Sequence, residues 1–237
     1  MGGRVIPFQT TILTLFPSMF PGPLGQSLIG KALAEKLWDL AIIDIREFSF
    51  NAYKSVDDTP FGGGAGMVLR PDVLDAAYQS LQEKAVGPFY YLSPRGTPLT
   101  QEKLVSLSQE AGVTLLCGRY EGVDERFLQK RGIEEVSIGD YILSGGELAA
   151  MVLLDGVLRL RPGILGSKES ILDESFSNGL LEYPHYTRPQ VWEGEAVPEV
   201  LVSGHHARIC HWRQEMAEKI TRERRPDLWH LYEQRKN

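Results

Sequence analysis

The chain has 237 residues, of which 43% are hydrophobic and 24% charged, a composition typical of a globular protein with a substantial core. No apolar run reaches the ~18 residues of a transmembrane helix, and the first residues do not resemble a signal peptide, so we expect no membrane partner. The net charge of −6 argues against nucleic acid as a partner, and two distant cysteines, Cys117 and Cys210, predict no disulfide framework or metal site in a reduced, cytoplasmic protein.

Strand-like and helix-like segments alternate along the first two thirds of the chain. Hydrophobic patterning predicts strands at 10–17, 40–48, 88–94, 113–118 and 134–139, and helices at 24–38, 70–85, 99–110 and 145–160. Thr100 is the predicted N-cap of the third helix. The alternation and the near-continuous apolar strands predict an α/β domain with a mainly parallel sheet, buried on both faces.

The region after Arg161 has a different pattern. Four prolines interrupt it, at positions 162, 184, 189 and 198, which is typical of a linker and extended segments. Helical spacing returns at 205–224, and Pro226 opens a second helix. From Gly204 to the end, eight basic and five acidic residues give a net charge of +3, whereas residues 1–203 carry −9. This basic surface is either a phosphate-binding region or a solvated helix face.

Four loops that follow predicted strands are rich in glycine or proline: 59–66, 93–98, 118–122 and 139–146. Ligands bind at the carboxyl ends of the strands in such sheets, so the loops suggest one site. The three glycines at 62–64 lack the Gly-Lys-Ser/Thr of a P-loop and fit either a flexible turn or a binding loop.

The loop sequence "CGRYEGVDER" offers glycines for close backbone approach, an aromatic ring and carboxylates, as an adenosine-type ligand requires. Its charged residues also fit ordinary surface ion pairs: Arg119, Glu121, Asp124, Glu125 and Arg126. The residues alone leave both interpretations open.

Five long segments together resemble the bacterial tRNA (guanine-N1)-methyltransferase family, TrmD, of the SPOUT class. In chain order they are "VDDTPFGGGAGMVLRPDVL", "LSPRGTPLTQ", "LCGRYEGVDER", "SIGDYILSGGELAAMVLLDGVLRLRPGILG" and "SFSNGLLEYPHYTRPQVW". One departure is Lys54, or its neighbour Tyr53, where the family usually has a histidine. The resemblance implies an α/β domain with a parallel sheet and a deep trefoil knot (1–162), a linker (163–175) and a small, all-α, tRNA-binding domain (176–237).

The resemblance also implies an activity: methylation of N1 of the guanosine immediately 3′ of the tRNA anticodon, by an obligate homodimer whose active sites include both chains. The methyl donor is S-adenosylmethionine; some members also use Mg²⁺, although no carboxylate cluster here requires it. The donor-binding residues carried over by motif are Leu92, Ser93, Pro94, Gly118, Tyr120, Glu121, Ile138, Gly139, Asp140, Tyr141, Ile142, Leu143, Gly145 and Gly146.

The family's general base is an aspartate directly before Ser-Phe, a position that Glu174 occupies here, with Asp173 as the alternative base. A glutamate is one methylene longer, and a misplacement of ~1 Å can cost roughly 10²-fold in rate. Arg159 matches the family's arginine that stabilises negative charge on guanine O6, with Arg161 as a nearby competitor. The predicted substrate-binding residues are Asp173, Ser175, His185 and Arg188. A methyltransferase acting on another RNA site and a non-catalytic RNA-binding adaptor are the alternative functions.

Overall fold

A computed structural model of the protein describes residues 6–81, 85–164 and 174–236. The chain divides into two compact units, residues 1–166 and 167–237. Most of the predicted linker lies outside the described residues, and the domain bounds expected from the sequence stay predictions.

The first unit is an α/β unit built on a five-stranded parallel sheet, as the sequence predicts. Its helices are α1 (Ser27–Ala34), α2 (Pro71–Gln79), α3 (Gln101–Ser108), α4 (Glu125–Arg131) and α5 (Glu147–Leu158). Its strands are β1 (Phe8–Thr14), β2 (Trp38–Asp44), β3 (Asp57–Asp58), β4 (Val68–Leu69), β5 (Phe89–Pro98), β6 (Gly112–Cys117) and β7 (Glu134–Ser137). The sheet order is β2-β1-β6-β5-β7, and β3 pairs with β4 in a separate antiparallel hairpin.

The core of this unit lies on both faces of the sheet. The buried side chains form two hydrophobic clusters, one on each face of the sheet. Ile12 and Leu115 belong to the first cluster, and Leu13 and Leu116 belong to the second, because side chains alternate between the faces of a strand. Helix α5 contributes to the first cluster, and α2 and α4 contribute to the second. Burial on both faces accounts for the near-continuous apolar sequence of the central strands.

Strand β5 departs from the prediction by continuing past Pro94. Leu92 and Thr97 both align with Val136 of β7, so residues 93–96 bulge out of the ladder before pairing resumes. An ideal Cβ on Gly96 would overlap the backbone of β7, so only glycine fits beside the neighbouring strand there. This bulge shifts Ser93 and Pro94 out of the regular strand at its carboxyl end.

Local capping explains where two helices begin and end. The Thr100 side chain accepts a hydrogen bond from the Lys103 backbone N–H at 3.3 Å, which confirms the predicted N-cap of α3. Helix α4 is not among the helices predicted from the sequence; at its start the Asp124 side chain accepts a hydrogen bond from the Arg126 N–H at 2.9 Å. Gly132 ends α4 in the left-handed conformation, with φ of 60°.

The described part of the second unit is mainly helical, with α6 (Glu199–Val202), α7 (His206–Arg224) and α8 (Pro226–Lys236). The last two helices confirm the predicted pair. A short hairpin, β8 (Val191–Trp192) and β9 (Glu195–Ala196), is additional to the predicted helices. Its turn has positive φ at Glu193 and Gly194, the conformation that matches the twist of paired strands.

Helices α7 and α8 are joined by polar contacts around Glu218. Its carboxylate accepts hydrogen bonds from Lys236 Nζ at 2.8 Å and from Tyr232 Oη at 2.9 Å. The contact with Lys236, together with that of Gln214, lowers the pKa of Glu218 to about 2. None of the helices in the described residues is long and apolar enough to cross a membrane.

Candidate functional site

A cavity of about 250 Å³ opens at the carboxyl ends of β6 and β7 and beside the bulge of β5. Three of the four predicted loops line it, those at 93–98, 118–122 and 139–146. The order of the sheet explains this, because β5 pairs with β6 on one side and with β7 on the other. Loops that are far apart in sequence therefore leave the sheet side by side.

Thirteen of the fourteen donor-binding residues expected from the resemblance line this cavity: Leu92, Ser93, Pro94, Gly118, Tyr120, Glu121, Ile138, Gly139, Tyr141, Ile142, Leu143, Gly145 and Gly146. Asp140 is exposed and is not among the lining residues, so its role stays a prediction. The cavity wall also includes residues that the sequence analysis did not single out for the site, among them Tyr91, Ser137 and Arg119.

The fourth glycine-rich loop lies beside the cavity. It joins β3 to β4, and its Gly62, Gly63, Gly64 and Gly66 all have positive φ. After it, the Met67 carbonyl accepts from the Glu121 N–H at 2.9 Å, and the Leu69 N–H donates to the Gly122 carbonyl at 2.9 Å. A side chain at Gly66 would overlap Glu121, so glycine there gives that carboxylate its space.

The glycines of the cavity wall are needed first for protein packing. An ideal Cβ on Gly118 would lie 2.7 Å from the Tyr91 ring, and one on Gly146 would lie 2.8 Å from the Cys117 Cα. The Gly146 N–H also donates to the Gly118 carbonyl at 3.0 Å. These close backbone contacts join the start of α5 directly to the end of β6.

Arg119 is only partly exposed and forms an ion pair with a buried carboxylate, so the alternative of an ordinary surface ion pair does not fit this residue. Its Nη2 lies 2.9 Å from Oε2 of Glu147, whose side chain is only 1% exposed. Asp124 and Arg126 fit the surface interpretation, since they pair with each other and the arginine is 72% exposed. Glu125 likewise pairs with the exposed Arg95.

Burial keeps two ionisable groups neutral: Tyr91 in the cavity wall and Cys117, which directly precedes the wall residue Gly118. Burial raises the pKa of the Tyr91 phenol to about 12, with the nearby Glu135 adding to the effect. Burial also raises the pKa of the Cys117 thiol, at the end of β6, well above its ordinary value. Neither group is ionised near neutral pH, so the wall suits binding better than nucleophilic chemistry.

The predicted catalytic arginine and the predicted general base belong to different units of the chain. Arg159 is half-buried at the C-terminal end of α5. Its competitor Arg161 donates from Nη1 to the Ser108 carbonyl at 2.7 Å and lies over the Phe8 ring, contacts that stabilise the fold. Glu174 belongs to the second unit, and Asp173 lies outside the described residues.

A second cavity, of about 480 Å³, lies within the second unit. Glu174 lines it together with Glu182, Tyr183, Arg213 and Gln214, among others. The Arg213 guanidinium stacks over the Tyr183 ring, 4.8 Å from its centroid. This cavity therefore combines carboxylates with an aromatic and cationic surface.

Two of the predicted substrate-binding residues, Ser175 and His185, contact Glu182, and Asp173 lies outside the described residues. His185 Nε2 is 2.8 Å from Oε1 of Glu182, and the Ser175 hydroxyl accepts from the Glu182 N–H at 2.9 Å. Arg188 is exposed. Within the described residues, no group of three or more His, Cys, Asp or Glu side chains is arranged to bind a metal ion.

Comparison with known proteins identifies the family. The model of the tRNA (Guanine-1)-methyltransferase TrmD family matches residues 8–231. The chain belongs to this family. The tRNA (guanine-N(1)-)-methyltransferases of Brucella ovis and Brucella melitensis are each 58% identical to it over 231 residues, covering 98% of this chain and 94% of theirs. The resemblance inferred from the sequence is thereby confirmed over nearly the whole chain.

Proposed function

We propose that the protein is a tRNA (guanine-N1-)-methyltransferase that uses S-adenosylmethionine to methylate the guanosine immediately 3′ of the anticodon. Membership of the family over residues 8–231 carries this proposal. The cavity at the strand ends supports it, because its position is the usual ligand site of an open parallel sheet.

The cavity wall fits the chemistry of S-adenosylmethionine. Leu92, Ile138 and Leu143 provide apolar surface for an adenine ring, and the glycine-rich loops bring backbone groups to its edge. The Glu121 carboxylate can accept hydrogen bonds from ribose hydroxyls. When bound, the cofactor supplies an electrophilic methyl group, so this chain needs no metal to activate it.

Methylation at guanine N1 requires removal of the proton that N1 carries. In this proposal the Glu174 carboxylate accepts that proton, and the Arg159 guanidinium stabilises the negative charge that moves to O6. Arg159 is preferred over Arg161 because it matches the family's arginine; Arg161 donates to the Ser108 and Ile6 carbonyls. General-base catalysis of this kind contributes roughly 10²–10⁴-fold to a rate.

The proposal includes the trefoil knot and the homodimer that the family resemblance implies, with a cytoplasmic enzyme acting on tRNA. Exposed apolar side chains beside the cavity support a subunit interface. Ile142 is 80% exposed, and Leu148 and Val152 lie one turn apart on α5 with about half of their surface exposed. Burial of such a patch against a second copy is favourable.

The activity is tested by transfer of a labelled methyl group to a tRNA transcript. We expect transfer to a transcript with guanosine 3′ of the anticodon, and none when adenosine replaces that nucleotide. Equal labelling of both transcripts would indicate a methyltransferase for another RNA site. Absence of both transfer and donor binding would indicate an RNA-binding adaptor instead.

Binding of tRNA is expected to weaken steeply with salt, because helix α7 carries exposed basic residues. Arg208, Lys219 and Arg224 are among them. Each phosphate contact contributes about −0.7 to −0.9 to the slope of log affinity against log salt, so four contacts give roughly −3. The measurement is the tRNA affinity by filter binding at salt concentrations from about 50 to about 200 mM. Affinity that does not change with salt would contradict phosphate binding by this helix.

A further inference from the structure

We infer that Arg119, Glu147 and Thr14 form a positioning network that fixes the 144–146 segment against the end of β6 and so shapes the donor cavity. The inference rests on the proposed function, because that function assigns the cavity to the methyl donor. It concerns residues that reach the donor only through the loop they hold.

The guanidinium of Arg119 is directed at the protein, although the residue lines the cavity. Its Nε donates to Oε1 of Glu147 at 3.2 Å, and its Nη1 donates to the Ser144 carbonyl at 3.1 Å. Nη2 lies 2.9 Å from Oε2 of Glu147. All three nitrogens therefore have protein partners, and the carboxylate balances the positive charge. Arg119 is thus a positioning residue and not an ionic partner for the donor.

Glu147 links this arginine to a third chain segment. Its Oε1 accepts a hydrogen bond from the Thr14 hydroxyl at 2.8 Å, and the same hydroxyl accepts from the Phe16 N–H at 2.9 Å. Thr14 ends β1, Arg119 follows β6, and Glu147 begins α5. The network therefore holds three elements together at the edge of the sheet where the cavity opens.

The geometry of the segment depends directly on the arginine. A side chain at Gly145 would overlap the Arg119 guanidinium, so the two are already in close contact. The Phe16 ring lies 4.3 Å from the guanidinium carbon on another side. The planar guanidinium of Arg119 contacts Ser144 and both carboxylate oxygens of Glu147 at once. A lysine has a single charged nitrogen and cannot make all three contacts. Losing these contacts allows the segment to move, and small displacements in a binding site have large effects.

The test measures binding of S-adenosylhomocysteine by calorimetry, without tRNA or turnover. For Arg119→Lys we expect the dissociation constant to rise roughly 10- to 100-fold at a temperature where the variant is folded. The matched control is Arg131→Lys. Arg131 makes a similar bidentate ion pair, with Asp75. Its side chain is 20% exposed, against 17% for Arg119, and it does not line the cavity. We expect the control to bind as the wild type does.

Wild-type affinity in Arg119→Lys, or an equal loss of affinity in Arg131→Lys, would overturn the inference. A wild type that does not bind S-adenosylhomocysteine would overturn the proposed function as well. If Arg119→Lys does not fold, Thr14→Val and Thr14→Ser decide. Thr14→Val removes the hydroxyl that donates to Glu147 and should weaken binding of S-adenosylhomocysteine, whereas Thr14→Ser keeps a hydroxyl and should bind like the wild type. Equal affinity in these two variants would also overturn the inference.

Discussion

Replacing Glu174 by glutamine is expected to lower methyl transfer to tRNA by roughly 10²–10⁴-fold, the contribution of a general base. Glutamine keeps the shape of the side chain but cannot accept the N1 proton. The residues that line the donor cavity all belong to the first unit, whereas Glu174 belongs to the second. Binding of S-adenosylhomocysteine should therefore be unchanged in Glu174→Gln.

The matched control is Glu182→Gln, since Glu182 lines the same second-unit cavity as Glu174 and glutamine keeps both the backbone N–H that donates to Ser175 and a side-chain oxygen that can accept from His185. The labelled-methyl assay under single-turnover conditions should show a far smaller effect for this variant. Equal losses in the two variants would indicate a general electrostatic role of the cavity and would contradict a specific base.

Asp173→Asn distinguishes the two adjacent acids. If Asp173 were the base, its amide variant would lose transfer and Glu174→Gln would keep it. Glu174→Asp is informative in a different way, because it restores the family's residue in this chain. We expect it to be slower than the wild type, since a carboxylate shortened by one methylene lies farther from the proton, and a shift of ~1 Å can cost roughly 10²-fold.

The sequence was sufficient to predict the sheet and the position of the cavity, because both depend on local patterns. Runs such as Val113–Cys117 identify buried parallel strands, and the glycine-rich loops after them identify the ligand edge. The resemblance then supplied the individual residues that we expect to bind the donor. Thirteen of these line one cavity in the structure.

Short elements were harder to predict than long ones. Helix α4 has only seven residues, and the charges around it resembled a polar loop. Its Asp124 and Gly132 are nevertheless standard capping residues and were a usable signal. The hairpin of β8 and β9 has two-residue strands with exposed side chains, so alternation provides no signal for it.

The buried partner of Arg119 could not be predicted from its neighbours in sequence. Its partner Glu147 is 28 residues away, and Thr14 is more than 100 residues from both. Local composition places Arg119 among surface charges, and only the packing of β1, β6 and α5 brings the three side chains together. The glycines of the cavity wall show the same limitation. Their expected role in close approach of a ligand stays a prediction; the structure adds that side chains at Gly118 and Gly146 would overlap Tyr91 and the end of β6.

Gly146→Ala is expected both to destabilise the first unit and to weaken binding of S-adenosylhomocysteine. Gly146 has φ of −78° and ψ of −10°, which alanine adopts without strain. The added Cβ would instead lie 2.8 Å from Cys117 Cα and 3.0 Å from Gly118 N, both backbone atoms of neighbouring wall segments. Overpacking of this kind typically costs about 1–3 kcal/mol. The start of α5 must move away from β6, and affinity should fall about tenfold or more.

Gly132→Ala separates lost stability from a changed cavity. Gly132 has φ of 60°, so alanine there incurs about 1–2 kcal/mol of left-handed backbone strain, but its Cβ would have nothing within 4 Å. Urea denaturation should therefore show comparable losses of unfolding free energy in the two alanine variants. Calorimetry should show weakened binding only in Gly146→Ala. If both variants bind like the wild type, the contact between Gly146 and β6 stabilises the fold without shaping the cavity.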